Sequence, residues 1–249
     1  MAKAWRKVPG ILLNAVLDWF YPPHCYHCGT FLEQPGNRLL CPTCTEWLFS
    51  SRITPPCCAV CGLSLPGSDG HNTCLSCRSL RPRFDRAWAV FPYSGPAASI
   101  VRSYKYQGNA FLGPELLRWI IDRGWLPDEG GTFDSVVPVP LHRRRRAERG
   151  YNQAALLARI IAEWASAPMM ENALVRKRHT KQQARLSRPK RKDNVRGAFA
   201  TGPRQTVGHH VLLVDDVMTT GATSEECARA LKKGGAAEVS VLTLVRAGK

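Results

Sequence analysis

The stretch that decides the fold is Val211-Leu212-Leu213-Val214-Asp215-Asp216-Val217-Met218-Thr219-Thr220-Gly221-Ala222-Thr223. Its first four residues are apolar and predict a buried strand. Two adjacent carboxylates then stand at the carboxyl end of that strand, which is where open α/β sheets bind their ligands. Neighbouring acids at such a place can accept hydrogen bonds from two neighbouring ribose hydroxyls.

The second half of the stretch predicts an anion site. Thr-Thr-Gly-Ala-Thr can form a turn whose backbone N–H groups converge, because Gly221 tolerates a positive φ. A helix that begins near Ala222 directs its positive end to the same place. An ordinary buried strand with an acidic turn is the alternative, but thirteen contiguous positions agree with a site for a phosphorylated ribose.

Apolar strand patterns alternate with helical patterns from Asp85 onward, which predicts an α/β domain with a mainly parallel sheet. The predicted strands cover residues 87–91, 135–140, 173–175, 211–214 and 239–244. The predicted helices cover residues 97–106, 114–123 and 151–165. The domain boundary is expected near residues 80–83.

The cysteines form an internal repeat. Nine of the ten lie between residues 25 and 77, and eight follow a 33-residue offset, in which Cys25, Cys28, Cys41 and Cys44 recur as Cys58, Cys61, Cys74 and Cys77. Each copy reads C-x2-C, twelve residues, C-x2-C, which is typical of a closed four-thiolate zinc site. Disulfides are the alternative, but the chain lacks a convincing export signal. We therefore predict two structural zinc ions, with Cys58 and not the adjacent Cys57 as a ligand.

Composition describes a basic protein with enough apolar residues for a packed core. The chain has 249 residues, 44% of them hydrophobic, and a net charge of +16 from 35 Lys and Arg against 19 Asp and Glu. Such a surface attracts polyanions, including nucleic acid, although a basic surface without a partner is the alternative. The apolar run at residues 11–20 is too short to span a bilayer. We expect residues 1–20 to form an amphipathic helix, no transmembrane segment, and a cytoplasmic location.

The stretch Val211–Thr223 is similar to the phosphoribosyl pyrophosphate (PRPP) signature of type I phosphoribosyltransferases, and the whole chain resembles the ComF family. Further matching segments are Arg-Gly-Tyr-Asn-Gln-Ala at 149–154, Lys-Tyr-Gln-Gly at 105–108, and the run 183–199 with Arg188, Asn194 and Gly197-Ala198-Phe199. The resemblance covers almost everything after residue 20. It implies a double zinc ribbon over residues 21–80 and a type I phosphoribosyltransferase fold over residues 81–249.

The resemblance also implies the ligand-binding residues. Those expected to bind PRPP are Asp215, Asp216, Val217, Met218, Thr219, Thr220, Gly221, Ala222 and Thr223. Those expected to bind pyrophosphate are Val139, Pro140, Arg149, Asn152 and Gln153. Mg²⁺ would bridge diphosphate and ribose oxygens, because it binds through substrate phosphates and needs few protein ligands.

Two basic segments admit more than one interpretation. Arg143, Arg144, Arg145 and Arg146 either offset diphosphate charge, form a solvated loop, or bind nucleic acid. The segment 176–196 is too basic to pack, and the resemblance implies a mobile hood over PRPP, with Arg178, Lys181 and Arg185 as catalytic candidates. A disordered basic loop without a catalytic role is the alternative.

Two functions of different classes follow. In the first, PRPP or pyrophosphate is a bound ligand of a protein that handles single-stranded DNA during natural competence, as the resemblance implies, with another protein of the competence machinery as a candidate partner. In the second, the chain is a phosphoribosyltransferase of nucleotide metabolism with an unidentified acceptor. Purine-salvage relatives carry an acid where Thr219 stands, so hypoxanthine and guanine are poor candidate acceptors.

Overall fold

The computed structural model describes residues 23–32, 39–65, 71–127, 133–180, 187–204 and 206–248. The amphipathic helix predicted for residues 1–20 lies outside these ranges, as do Lys181 and Arg185. Among the residues that are described, no helix combines the length and the apolar character that a membrane crossing requires.

The chain is an alternation of helices and strands after two short helices in the cysteine-rich part. The helices are α1 (Pro42–Ser50), α2 (Leu75–Leu80), α3 (Gly95–Tyr106), α4 (Leu112–Asp122), α5 (Arg143–Arg149), α6 (Gln153–Trp164), α7 (Arg188–Val195) and α8 (Ala222–Lys233). The strands are β1 (Arg86–Pro92), β2 (Ser135–Pro138), β3 (Leu174–Arg176), β4 (Phe199–Thr201), β5 (His210–Met218) and β6 (Glu238–Arg246).

Four parallel strands form the central sheet in the order β1-β6-β5-β2. Its two middle strands read as near-continuous apolar runs, because helices cover both of their faces. All five strands predicted from apolar patterning are found, as β1, β2, β3, β5 and β6, and each begins within one residue of the expected start. The predicted α/β class with a mainly parallel sheet is confirmed.

Alternate residues of β5 and β6 enter two separate cores, as the two-residue period of a strand requires. One core joins Leu212, Val214, Leu242 and Leu244 to apolar side chains of α3, α4 and α6. The other joins Val211, Leu213, Val239 and Val241 to Cys227, Ala228 and Leu231 of α8. Each fully buried Val or Leu side chain contributes about 1.5–3 kcal/mol, so the sheet is fixed between its two helical layers.

The two cysteine modules have the same backbone structure. Cys25 N donates to Thr30 O at 2.8 Å, and 33 residues later Cys58 N donates to Leu63 O at 2.7 Å. Gly29 and Gly62 occupy equivalent turns with φ of +78° and +65°, a conformation that glycine adopts without steric cost. The sequence repeat is therefore a structural repeat.

Each module shares a core with one face of the sheet. Cysteines of the first module lie in the same apolar cluster as Val90 and Ile100. Cysteines of the second module lie in the cluster that contains Phe84, Met218 and Ala222. The division into residues 21–80 and 81–249 stays a prediction, since the buried clusters cross that boundary on both faces.

Two basic segments that the sequence analysis treats as loops contain helices. In α5, Arg144 and Glu148 pair at 3.5 Å one turn apart, His142 caps the first turn, and Gly150 ends the helix with φ +78°. Arginine has a high helix propensity, so a solvated helix can form without an apolar face. In the second segment, α7 ends at Val195, which is buried, as is the nearby Ala198, and β3 pairs antiparallel with β4. The expectation that residues 176–196 cannot pack is therefore not met along the whole segment.

Candidate binding site and metal centres

A cavity of about 350 Å³ opens at the carboxyl edge of the sheet. The apolar pattern predicts a strand that ends at Val214, before Asp215 and Asp216. In the structure β5 continues through both acids to Met218, because β6 pairs with it as far as Arg246. The neighbouring strand β2 ends earlier, with Pro138 beside Val214. The two acids therefore face the space that β2 leaves open.

Asp216 is buried and Asp215 is half-buried, and both interact with a lysine of α3. Lys105 Nζ lies 2.9 Å from Asp216 Oδ1. Burial lowers the pKa of Lys105, but the charges of Asp216 and Asp215 outweigh it, so that this pKa is raised and the ammonium persists. Burial, and then the charge of Asp216, raises the pKa of Asp215 to about 7. The site thus holds one carboxylate paired with a lysine and one that ionises near neutral pH.

The turn after β5 has the geometry of an anion site. Gly221 adopts φ +78° and precedes the first turn of α8. A Cβ at this position would lie 3.3 Å from Met218 Cε and 3.7 Å from Phe84 Cε1. Side chains larger than glycine are therefore disfavoured by both conformation and packing. The first residues of α8, Ala222, Thr223 and Ser224, line the cavity. The N–H groups in the first turn of a helix have no acceptor within that helix, and they suit an anion.

The opposite wall is the start of α6. Asn152 is buried and donates to Val139 O at 3.2 Å, which ties the helix start to the end of β2. Arg149 Nη1 donates to Gln153 Oε1 at 3.0 Å. Gln153 is 2% exposed, and its Nε2 has no hydrogen-bond partner among the described residues. A buried amide without an acceptor is costly, so this group is suited to donate to a bound anion.

The two cysteine clusters have the geometry of closed tetrahedral metal sites. Within each cluster all four sulfurs lie within 4.8 Å of one another, in the groups Cys25, Cys28, Cys41, Cys44 and Cys58, Cys61, Cys74, Cys77. Measured pairs are 3.6 Å for Cys28 to Cys41 and 3.7 Å for Cys61 to Cys74. A tetrahedron with Zn–S bonds of about 2.3 Å places its sulfurs about 3.8 Å apart. These distances fit zinc and exclude disulfides within the clusters.

Backbone hydrogen bonds favour the thiolate form of one member of the second cluster, Cys58. Burial opposes ionisation of Cys58, but backbone hydrogen bonds, first from Cys74, lower the pKa of its thiol to about 7. Cys57 lies outside the cluster and donates its thiol to Thr54 O at 3.2 Å. The register of the repeat, with Cys58 as the cluster member, agrees with this arrangement.

Comparison with known proteins covers both parts of the chain. The family model of the double zinc ribbon domain matches residues 16–79, and that of the phosphoribosyl transferase domain matches residues 148–249. Competence protein F of Haemophilus influenzae is 32% identical over 235 residues, which cover 92% of this chain and 99% of that protein. The chain belongs to the ComF family. It thus combines a double zinc ribbon with a type I phosphoribosyltransferase fold.

Two further ComF relatives have similar extent. DNA utilization protein YhgH of Escherichia coli K12 is 32% identical over 90% of this chain and 97% of its own length. Competence protein ComFC of Bacillus subtilis is 30% identical over 87% of each chain. These relatives match over most of the chain, so the expected family resemblance is confirmed.

Most residues that the sequence analysis assigns to PRPP or pyrophosphate lie on the cavity wall of this ComF protein. The wall includes Val139, Arg149, Asn152, Gln153, Asp215, Asp216, Val217, Met218, Thr219, Gly221, Ala222 and Thr223. Thr220 is exposed and, like Pro140, is not part of this wall. Contact of each residue with a ligand stays a prediction.

The four-arginine run divides between two environments. Arg145 lies on the cavity wall, together with Arg149 one turn later on α5, and donates to Thr180 O at 2.8 Å. Arg143, Arg144 and Arg146 are exposed and lie outside that wall. The four-residue spacing of Arg145 and Arg149 is the signal that could have separated them, had α5 been recognised as a helix.

Further cations on the wall were not assigned by the sequence analysis. Arg176 lies over the Phe199 ring at 5.1 Å, and burial, then the charge of Arg145, lowers its pKa to about 10. Lys105 and Arg191 also line the cavity. By contrast, Arg178 is exposed and donates to Asn194 O at 3.0 Å and Arg196 O at 2.8 Å, at the end of α7. Its role as a catalytic candidate stays a prediction.

Proposed function

We propose that this ComF protein binds PRPP or pyrophosphate with Mg²⁺ in the cavity at the carboxyl edge of β5. The observation that carries this proposal is the convergence of a buried acid pair, a glycine turn and the start of α6 on one cavity. Its wall holds five cations, Lys105, Arg145, Arg149, Arg176 and Arg191, against two acids, Asp215 and Asp216. A net positive cavity of this kind suits a ligand with several phosphates.

Each group of the ligand has a complementary part of the wall. Asp216, which is paired with Lys105, accepts from one ribose hydroxyl, and Asp215 accepts from its neighbour. The turn at 218–223 binds the 5′-phosphate through backbone N–H groups at the start of α8. Gly221 allows the backbone to approach the phosphate without an intervening Cβ.

The diphosphate belongs at the start of α6. Gln153 Nε2 gains the acceptor that it lacks among the described residues. Arg149 and Arg145 supply charge-assisted hydrogen bonds to phosphate oxygens. When Mg²⁺ is bound with the ligand, it neutralises part of the diphosphate charge and keeps most of its own water ligands.

Calorimetric titration of PRPP with and without Mg²⁺ tests this assignment. We expect saturable binding that is abolished when Asp215→Asn and Asp216→Asn are combined. Cys57→Ser is the matched control, because Cys57 lies outside the cavity wall and both cysteine clusters. Absence of PRPP and pyrophosphate binding by the zinc-loaded wild-type chain would refute the proposal.

We further propose that the protein handles single-stranded DNA in the cytoplasm during DNA uptake. Support comes from the relatives named competence protein F and DNA utilization protein, and from the net charge of +16. The exposed arginines Arg143, Arg144 and Arg146 lie on the same helix as the cavity residues Arg145 and Arg149. This helix would connect ligand binding with a polyanion on the outer surface, beside a protein partner of the competence machinery.

Catalytic transfer is the second candidate function, favoured by the match to the phosphoribosyl transferase domain. A nucleophile would displace pyrophosphate at C1 of PRPP, and the arginines would stabilise the departing charge. Thr219 has no carboxylate, so it cannot be the general base that an Asp or Glu at this position would provide. Release of pyrophosphate from PRPP with a panel of nucleobases and amines tests this candidate, and binding without turnover would exclude those acceptors.

A further inference from the structure

The second cysteine cluster contacts the phosphate-binding turn through one side chain, that of Arg246. Arg246 ends β6, beside Met218 at the end of β5. Its Nη2 lies 3.3 Å from Cys61 Sγ, and its Nη1 lies 2.7 Å from Met218 Sδ. The backbone continues the contact, because Ala247 N donates to Met218 O at 2.8 Å. One guanidinium therefore bridges a predicted zinc ligand and the first residue of the turn.

The charge of the cluster explains why an arginine stands there. Four thiolates around a divalent zinc ion carry a formal net charge of about −2. A guanidinium next to them is paired, whereas a partly buried guanidinium that faces only a thioether has a very weak acceptor. The Nε of Arg246 is buried and has no partner among the described residues. The position of this side chain therefore depends on its contact with the cluster.

Met218 transmits that position to the turn. Its Cε lies 3.3 Å from where a Cβ of Gly221 would stand, and its side chain is part of the cavity wall. The chain that leaves the second module makes another contact, because Arg83 N donates to Glu225 Oε2 at 2.6 Å in the first turn of α8. Both ends of the phosphate-binding turn are thus held by groups next to the second module.

The first module contacts the helix that carries Lys105, α3. Trp47 packs against Gly95, where an added Cβ would lie 2.9 Å from its ring, and His27 Nδ1 lies 3.0 Å from Ser99 Oγ. Both contacts are at the start of α3, and Lys105 lies ten residues after Gly95, or about 15 Å along the helix. The two modules therefore differ in their distance from the turn.

We propose that Arg246 is a positioning residue that couples metal loading of the second cluster to binding of the 5′-phosphate by the turn at 218–223. This inference rests on the proposed binding of a phosphoribosyl ligand. The coupling belongs to the second cluster and does not extend to the first. It also concerns the 5′-phosphate and not the pyrophosphate, which binds at α6 on the opposite wall.

Two ligands that report on opposite walls test the role of Arg246. Ribose 5-phosphate and inorganic pyrophosphate are titrated separately into zinc-loaded wild type, Arg246→Met and Arg246→Lys. Because Arg246→Met removes the guanidinium that lies between Cys61 and Met218, we expect it to weaken ribose 5-phosphate binding by about tenfold or more. Pyrophosphate binding should stay within about twofold, and Arg246→Lys should restore part of the loss, because it keeps the charge.

Cysteine variants test whether the coupling is specific to the second cluster. Cys61→Ser should lose one zinc ion per chain and the same share of ribose 5-phosphate affinity as Arg246→Met. Cys44→Ser should lose one zinc ion and retain that affinity, and Cys57→Ser should lose neither. Zinc content is measured for each variant, and unfolding curves establish that each one is folded.

The outcomes separate this inference from the function on which it rests. Equal ribose 5-phosphate affinity in wild type and Arg246→Met would overturn the inference and leave the proposed function standing. So would an equal loss of both ligands, which indicates general destabilisation. A wild-type chain that binds neither ligand would overturn the proposed function itself.

Discussion

Two residues of opposite charge, Asp216 and Lys105, form an ion pair on the cavity wall. Asp216 is 7% exposed at its side chain and is paired with Lys105, which is 18% exposed. Without this partner the Asp216 carboxylate would be buried with no compensating charge. Lys105 therefore offsets the cost of burying the carboxylate that we propose accepts from a ribose hydroxyl.

Replacing Lys105 by Met should destabilise the protein, because it leaves the Asp216 charge buried without a partner. Removing one member of a buried pair typically costs about 3–5 kcal/mol. Much of this loss should disappear in the double variant Lys105→Met with Asp216→Asn. Chemical denaturation measures each free energy of unfolding. The exposed pair of Glu115 and Arg118, at 3.6 Å, is the control, and Arg118→Met should change stability by less than about 1 kcal/mol.

The raised pKa of Asp215, about 7, predicts a pH dependence of ligand binding. The folded protein retains this proton at pH values where an unfolded chain would have lost it, so the contribution of Asp215 to stability decreases as pH rises from about 4 to 7. Ligand binding follows the opposite direction, since the ionised form accepts from the ribose. The ionised fraction rises from about one tenth at pH 6 to about nine tenths at pH 8.

We therefore expect the affinity for PRPP to increase by up to about tenfold between pH 6 and 8. Asp215→Asn has no ionisable group at this position and should lack that part of the pH profile. The control is the affinity for pyrophosphate, which we propose binds at α6, over the same pH range. It reports the change in affinity that titration of the phosphates themselves causes. An identical profile in wild type and Asp215→Asn would assign the pH dependence to another group.

At the scale of elements, the parts that could be predicted are those whose signal is local. The runs in β5 and β6, the apolar face of α6 and the cysteine repeat each lie within a short window of sequence. Helices α5 and α7 could not be predicted, because charged residues give no apolar period and their caps and ion pairs are visible only in the folded chain. The contacts of Lys105 with Asp216 and of Arg246 with Cys61 join segments that are far apart in sequence. Residue spacing therefore could not predict these contacts.

The turn between β5 and α8 is the element on which phosphate binding depends most. Gly221→Ala combines a strained φ with a Cβ about 3.3 Å from Met218 Cε, and we expect a loss of about 1 kcal/mol in stability from the conformation alone. Binding of ribose 5-phosphate should weaken strongly, because the N–H groups of the turn are displaced. Calorimetry and unfolding measure the two effects.

Gly208 provides a matched control for this substitution. Its φ of +74° is almost the same as that of Gly221, but a Cβ there would meet nothing within 4 Å. Gly208→Ala should therefore show a similar conformational cost and leave ligand binding unchanged. Loss of binding in both variants would mean that stability, and not the geometry of the turn, accounts for the result.

At the scale of the whole molecule, the two faces of the sheet each carry one cysteine module, and the cavity lies at the edge between them. The chain carries a net charge of +16. Helix α5 divides its arginines between the cavity and the solvent, so the proposed ligand binding and the proposed nucleic-acid binding would use separate residues of one element. If both proposals hold, the two functions can be separated by mutation.

Neutralising Arg143, Arg144 and Arg146 together should weaken single-stranded DNA binding and leave PRPP affinity unchanged. For single strands, the logarithm of the binding constant falls with the logarithm of salt concentration by about 0.7 per phosphate contact, so three lost contacts reduce that slope by about 2. Arg145→Gln should show the reverse, with weaker PRPP binding and a nearly unchanged salt slope, because Arg145 lines the cavity and donates to Thr180. Fluorescence anisotropy over a range of salt concentrations measures the slope. If the triple variant binds DNA with the wild-type slope, the exposed side of α5 is not the nucleic-acid surface, and the other basic segment, around α7, is the next place to test.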